Sequence, residues 1–278
     1  MLREAAERLR AAGTDSPLME AGLLLAYAAG VRRLDVLAGT LEPPDADVRA
    51  RFRAVVARRA ERVPLAYLLG RQEFYGRALE VTPATLVPRP ETELLVEFGM
   101  STVGDGAGAL AIDVGTGGGC IAVSVAAGAP GARVLAVDLS LEALRVATRN
   151  AERLGVGSRV ACVRGDLLAP VASGSAAVVL SNPPYVATDD LAGLQPEVRD
   201  HEPRLALDGG PDGLSIHRRL ARDARRALRP DGWLAVEVGA GQAAAVAALL
   251  RGEGYTHVAA QRDLAGIERM VRGRRGRA

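Results

Sequence analysis

Lysine is absent from the chain: all 35 basic side chains are arginine. That excludes chemistry built on a lysine nitrogen, whether a Schiff base or the phosphate-gripping lysine of a P-loop. Aromatic residues make up only 3% of the 278 residues. The core must therefore be aliphatic and alanine-rich. Cysteine is scarce as well. Cys120 and Cys162 lack metal-ligand spacing, and His201, His217 and His257 are scattered, so no zinc motif is present. There is no secretory signal segment, and no apolar run approaches a membrane span. The expectation is a cytoplasmic protein without metal or membrane partner. A net charge of only +2 argues against broad nucleic-acid binding, which uses a concentrated basic face.

What is present is a globular composition, 49% hydrophobic and 24% charged, long enough for one large domain or two modest ones. Residues 1 to about 70 read as helices. "LREAAERLRAAG" has apolar spacing near three and four and stops at Gly13. "DSPLMEAGLLLAYAAG" has a cap at Asp15 or Ser16, Pro17 in its first turn and a stop at Gly30. "DADVRARFRAVVARRAERV" is a third amphipathic stretch. Phe74, Tyr75 and Gly76 followed by "ALEV" read as a short hairpin or bent linker, and "PRPETE" opens a helix with acidic residues suited to the helix dipole. The expected division is a helical domain over 1–72, a hairpin or linker over 73–89 and a catalytic domain over 90–278. From about residue 109, short strands alternate with helices, which implies an α/β fold with a parallel sheet covered on both faces. Such sheets bind ligands at the carboxyl ends of their strands.

Three loops at those ends carry candidate chemistry. Asp113-Val-Gly115-Thr116-Gly117-Gly118-Gly119-Cys120 follows a strand and enters a helix, where glycine lets the backbone turn tightly and approach a ligand. Asp138 ends the second strand about twenty residues on, a place where a carboxylate commonly holds ribose hydroxyls. Asp166 ends the third. Together they outline a nucleoside-containing ligand, and nothing in them specifies phosphate. The fourth strand empties into Ser181-Asn182-Pro183-Pro184-Tyr185. The Asn182 amide and the Pro183 carbonyl offer two acceptors, and Tyr185 offers an aromatic face. That set suits a planar NH2 group.

Asp-x-Gly-x-Gly, the acidic second-strand end and Asn-Pro-Pro-Tyr resemble the Rossmann-like S-adenosylmethionine methyltransferases that act on planar amino or amide nitrogens. Adenine and guanine methylases and protein glutamine methylases all belong to that group. "PLAYLLGRQEFYG" (Pro64 to Gly76), "LVPRPETE" (Leu86 to Glu93), "EPRLALDGGPDGL" (Glu202 to Leu214) and "DLAGIERMVRGR" (Asp263 to Arg274) resemble the bacterial PrmC/HemK family. The resemblance covers nearly all of the chain from Pro64 onward. It implies a Rossmann-like domain with a mostly parallel seven-stranded sheet, preceded by a small N-terminal helical domain that grips the protein substrate. It also implies an enzyme that moves a methyl group from S-adenosyl-L-methionine, releasing S-adenosyl-L-homocysteine. The acceptor is the glutamine side-chain amide in the Gly-Gly-Gln loop of peptide chain release factors, and the outcome is a change in translation termination.

On the same resemblance Asn182, Pro183 and Tyr185 are the catalytic residues, and Pro184 joins them in binding the substrate. Gly115, Thr116, Gly117, Gly118, Gly119, Asp138, Asp166, Leu167 and Asn182 hold the cofactor. Leu167 stands where some members have an aromatic residue beside the adenine. The protein is expected to be a monomer, with release factors as partners and no stable nucleic-acid partner. No strong general base is apparent, so proton loss is expected to follow methyl transfer.

The rival reading is a nucleic-acid amino-group methyltransferase using the same tetrapeptide. It predicts a basic surface near the site, whereas residues 182 to 200 contain Asp189, Asp190, Glu197 and Asp200 against one arginine. A non-catalytic binding protein leaves the intact Asn-Pro-Pro-Tyr without a purpose. A nicotinamide dehydrogenase is disfavoured because G-x-G-x-x-G begun at Gly115 meets Cys120 at its third glycine.

Overall fold

Leu2, Ala5, Ala6 and Leu9 fall on one helical face, and the chain there winds into α1 (Leu2–Ala11). Pro17 sits in the first turn of α2 (Pro17–Ala29), which ends at a left-handed Gly30 with φ 68°. A short α3 (Arg33–Leu37) follows. Asp45 caps α4 (Ala46–Ala60) by accepting the Val48 N–H at 2.7 Å. The five-residue α5 (Leu65–Leu69) completes the series. The computed structural model describes residues 1–40, 42–104 and 108–277, and the chain divides into two compact units. The first is Met1–Arg71 with Gln195–His201; the second is Gln72–Leu194 with Glu202–Ala278.

The first unit packs Leu9, Leu24, Leu25, Phe52 and Val56 into its own core. At its edge Arg59 is buried, with its Nε donating to Glu20 Oε2 at 2.7 Å and its Nη1 to Glu197 Oε1 at 2.9 Å. Arg62 Nη2 donates to the other oxygen of Glu197 at 2.5 Å. Burial pushes the Glu197 carboxyl up, but hydrogen bonds from the two guanidinium groups win and hold it below its ordinary value. These bonds tie the short helix Pro196–His201 into a unit whose other residues end at Arg71 and resume only at Gln195.

The second unit opens with a hairpin, β1 (Arg71–Phe74) and β2 (Arg77–Glu80). Its two loop residues, Tyr75 and Gly76, have φ 49° and 68°, the positive values that suit the twist of a two-residue hairpin. A 3-10 turn over Pro90–Thr92 leads into α6 (Glu93–Val103).

A seven-stranded sheet follows, as the resemblance implied. Its strands are β3 (Leu110–Val114), β4 (Arg133–Asp138), β5 (Val160–Arg164), β6 (Ala176–Ser181), β7 (Leu228–Glu237), β8 (Tyr255–Arg262) and β9 (Glu268–Arg275), in the order β5-β4-β3-β6-β7-β9-β8. β3 to β7 pair in parallel, and β9 runs antiparallel to both β7 and β8. Helices α7 (Cys120–Gly128), α8 (Leu141–Arg153), α9 (Ser215–Ala227) and α10 (Ala243–Gly252) complete the unit. All six residues of β6 are buried, as an inner parallel strand requires. Val178 and Leu180 pack into one apolar layer with Leu95 and Val125, and Val179 into the other with Leu220 and Val246. The two layers reflect the alternation of side chains along a strand.

β7 starts at Leu228, ahead of the Pro230–Gly232 stretch, with a register irregularity against β6 between Ala176 and Val178. The segment after Tyr185 contains two 3-10 turns, the helix Pro196–His201 and a bridge from Val186 to Asp208.

Candidate active site

Strand order reverses between β3 and β6, so the loops leaving these neighbours open a crevice at their carboxyl ends. The glycine loop leaves β3 there. Gly115 and Gly117 have φ 68° and 54°, and nothing stands within 4 Å of where a Cβ would be on either. Their backbone therefore faces open space. Gly119 differs: a Cβ there meets the Ala147 Cβ at 3.0 Å, so its role is to let α7 approach α8. Asp113, fully buried, accepts the Thr116 hydroxyl at 2.6 Å and the Ala122 N–H at 3.0 Å through one oxygen. It ties the loop to the start of α7, and desolvation pushes its carboxyl up to about 7.

Asp138 braces the loop from the neighbouring strand. Its Oδ2 accepts the Gly117 N–H and its Oδ1 accepts the Ser140 N–H, each at 2.8 Å. Two of roughly four lone-pair sites on the carboxylate are thereby used. Asp166 is ion-paired with Arg219 of α9 at 2.7 Å. Arg89 grips both oxygens of the buried Glu202 at 2.8 Å.

These loops enclose a cavity of about 430 Å³, within the range of small-molecule sites. Gly115, Thr116, Gly117, Gly118, Asp138, Asp166, Leu167, Asn182 and Pro184 all line it. Gly119, Pro183 and Tyr185 are not part of its lining. Tyr185 is anchored instead by Gln242 Nε2, which donates to its carbonyl at 2.9 Å, and its hydroxyl lies 3.5 Å from Glu237 Oε1. Burial pushes the phenol up to about 12.

The structure gives specific partners to two residues that the sequence reading did not single out. Thr92 lines the cavity beside Asn182. Its hydroxyl donates to Glu237 Oε2 at 2.6 Å and accepts from Asn182 Nδ2 at 3.1 Å. Glu237, at the end of β7, is 2% exposed, and desolvation pushes its carboxyl up to about 7. A signal existed: "WLAVEVG" places one carboxylate inside an apolar strand, which is costly unless partners are provided. Among the described residues no cluster of three or more His, Cys, Asp or Glu side chains could hold a metal ion. No helix among them is long and apolar enough to cross a membrane.

The family model for the PrmC N-terminal domain matches residues 1–70, and that for the methyltransferase small domain matches residues 91–195. A release factor glutamine methyltransferase of Caulobacter vibrioides is 42% identical over 280 residues, covering 97% of this chain and 93% of that protein. One from Moorella thermoacetica is 44% identical, covering 96% of this chain and 95% of its own length. Among solved structures, the N-terminal domain of human METTL16 in complex with SAH superposes with a TM-score of 0.52 at 17% identity. That match covers 72% of this chain and 76% of the other and is a likeness of fold.

Proposed function

The chain belongs to the release factor glutamine methyltransferase family, and from that premise we propose that it methylates the side-chain amide of the glutamine in the Gly-Gly-Gln loop of peptide chain release factors. The observation that carries the reading is the position of Asn182: it leaves β6 at the strand-order reversal and lines the same cavity as the glycine loop and Asp138.

The residues fit S-adenosyl-L-methionine as the donor. The open space before Gly115 and Gly117 admits close backbone approach. The unused lone pairs of Asp138 suit ribose hydroxyls, and Leu167 and Asp166, which line the same cavity, would lie beside the adenine. The chemistry the cofactor supplies when bound is an activated methyl group on a sulfonium, with neutral S-adenosyl-L-homocysteine left behind.

The difficulty then lies with the acceptor, because an amide nitrogen shares its lone pair with its carbonyl. Asn182 Oδ1 and the Pro183 carbonyl accept the two amide hydrogens and set the direction of that lone pair, with Pro184 and Tyr185 flanking the plane. Alignment of this kind contributes up to ~7–11 kcal/mol in ideal cases. The same two acceptors stabilise positive charge developing on the nitrogen. The helical domain, residues 1–72, grips the release factor. The enzyme acts as a cytoplasmic monomer, without metal.

The test is methyl transfer from labelled S-adenosylmethionine to a purified release factor, the same factor with its Gly-Gly-Gln glutamine replaced, and bulk DNA and RNA. Label on the intact factor alone is expected. Label on nucleic acid alone would overturn the assignment of acceptor in favour of a base amino group.

A further inference from the structure

We propose that Glu237, acting through Thr92, sets which way round the Asn182 amide stands and so makes Asn182 a hydrogen-bond acceptor toward the cavity. This rests on the function proposed above and names two positioning residues for it.

An ionised carboxylate only accepts. Glu237 Oε2, 2.6 Å from Thr92 Oγ1, therefore takes the single hydroxyl proton that threonine has. Thr92 Oγ1 is then left only lone pairs for its second neighbour, Asn182, 3.1 Å away. The Asn182 atom facing Thr92 must be the NH2 nitrogen, and the carbonyl Oδ1 is left for the cavity that Asn182 lines. The two ends of an asparagine amide are nearly identical in shape, so such a network is what distinguishes them. An amide substrate needs the oxygen end, because its own N–H groups are donors.

The lock has a defined failure. A protonated Glu237 becomes a donor to Thr92 and frees the Thr92 proton to point at Asn182. The Asn182 amide then turns, and a donor faces the donors of the substrate. Glu237 is set close to that boundary: burial pushes its carboxyl up to about 7, with the Thr92 hydrogen bond opposing. The groups facing it are Glu91 in the turn before α6, which pushes it up, and Arg269 of β9 and the Tyr185 hydroxyl, which pull it down. Cys120 at the start of α7 also lies within its field, and His217 of α9 bonds the Glu237 backbone carbonyl at 2.9 Å. Protonation thus removes the lock as pH falls through about 7.

The test uses Thr92→Val, which removes the middle link, and Glu237→Met, which removes the acceptor, with Thr92→Ser as the conservative control. Turnover on a release factor should drop about 10- to 100-fold in the first two, less than the roughly 10²–10³-fold of losing a hydrogen-bonding group that touches the reacting atoms, because these residues act through Asn182. Affinity for S-adenosylhomocysteine should fall much less than turnover, since neither Thr92 nor Glu237 is among the residues assigned to the cofactor. Thr92→Ser should retain most of the rate. Wild-type kcat should rise with pH through a limb near 7 that Glu237→Met lacks.

A second readout needs no turnover. The chain has only two asparagines, Asn150 and Asn182, so selective labelling with 15N-asparagine yields two side-chain NH2 pairs. Asn182→Asp identifies the Asn182 pair. That pair should shift on lowering the pH through 7 and in Thr92→Val, while the Asn150 pair stays in place. Unchanged kcat in both Thr92→Val and Glu237→Met, or an Asn182 pair insensitive to both pH and Thr92→Val, would overturn the lock. A wild-type enzyme inert toward release factors, with the Asn182 pair still responding, would overturn the acceptor assignment and leave the lock standing.

Discussion

Replacing Asp138 with alanine separates what that carboxylate does for the loop from what it does for the cofactor. In the structure it accepts two backbone N–H groups, from Gly117 and Ser140, at 2.8 Å each, and about two lone-pair sites are left on a carboxylate that lines the cavity. A hydrogen bond to a charged group is worth about 1.5–3 kcal/mol. Two such bonds to a ribose diol total at least about 3 kcal/mol, and 1.4 kcal/mol is about tenfold in affinity. Asp138→Ala should therefore raise the dissociation constant for S-adenosylhomocysteine by about 100-fold or more, measured by titration calorimetry. Asp138→Asn keeps the volume and one oxygen, but sets an NH2 group against one of the two backbone donors, so its affinity should fall between wild type and Ala. If Asp138→Ala binds within about threefold of wild type while its cofactor-free form melts normally, the carboxylate is a loop brace alone and the assignment to the ribose fails.

Three further outcomes follow from the packing. Arg59→Ala strands the buried Glu20 carboxylate that Arg59 grips at 2.7 Å, which should cost about 3–5 kcal/mol. Hydrogen exchange should report it as faster exchange in peptides from α2 and α4. Gly99→Ala puts a methyl group 2.6 Å from the buried Leu180 side chain on β6 and should cost about 1–3 kcal/mol by overpacking. Gly128→Ala meets only the flexible Met100 side chain, so a thermal melt should show a clearly smaller change. Burial pushes both cysteine thiols up, so Cys120 and Cys162 should react with iodoacetamide at pH 8 far more slowly in the native protein than in urea. Rapid labelling of the native state would contradict that.

Local patterns carried much of this fold. The spacing of Leu2, Ala5, Ala6 and Leu9 announces α1, and Tyr75-Gly76 between two short runs announces a hairpin. The alternation of strand and helix after Leu110 announces the sheet. The glycine loop, Asp138 and Asn182 are legible for the same reason: each lies at the end of a strand whose apolar run stops abruptly. What stays hidden is long-range. Helices α3 and α5 have five residues each, too few to show a period. Thr92 looks like a helix-start residue, and its second role exists only because Glu237 stands 145 residues away in sequence. Glu197 reads as one more acid in an acidic loop, yet its partners Arg59 and Arg62 lie 138 and 135 positions earlier.

That last pairing bears on modularity. Because Gln195–His201 belongs to the same compact unit as the first 71 residues, the chain passes between units three times. The helical unit is thus not one continuous stretch of chain. A deletion ending near residue 71 leaves seven of its residues behind and takes both cationic partners away from Glu197. Transplanting the leading segment onto another enzyme carries off the arginines without the acid they close upon. Clean exchange of this unit between relatives requires two separate pieces of gene, one for residues 1–71 and one for residues 195–201.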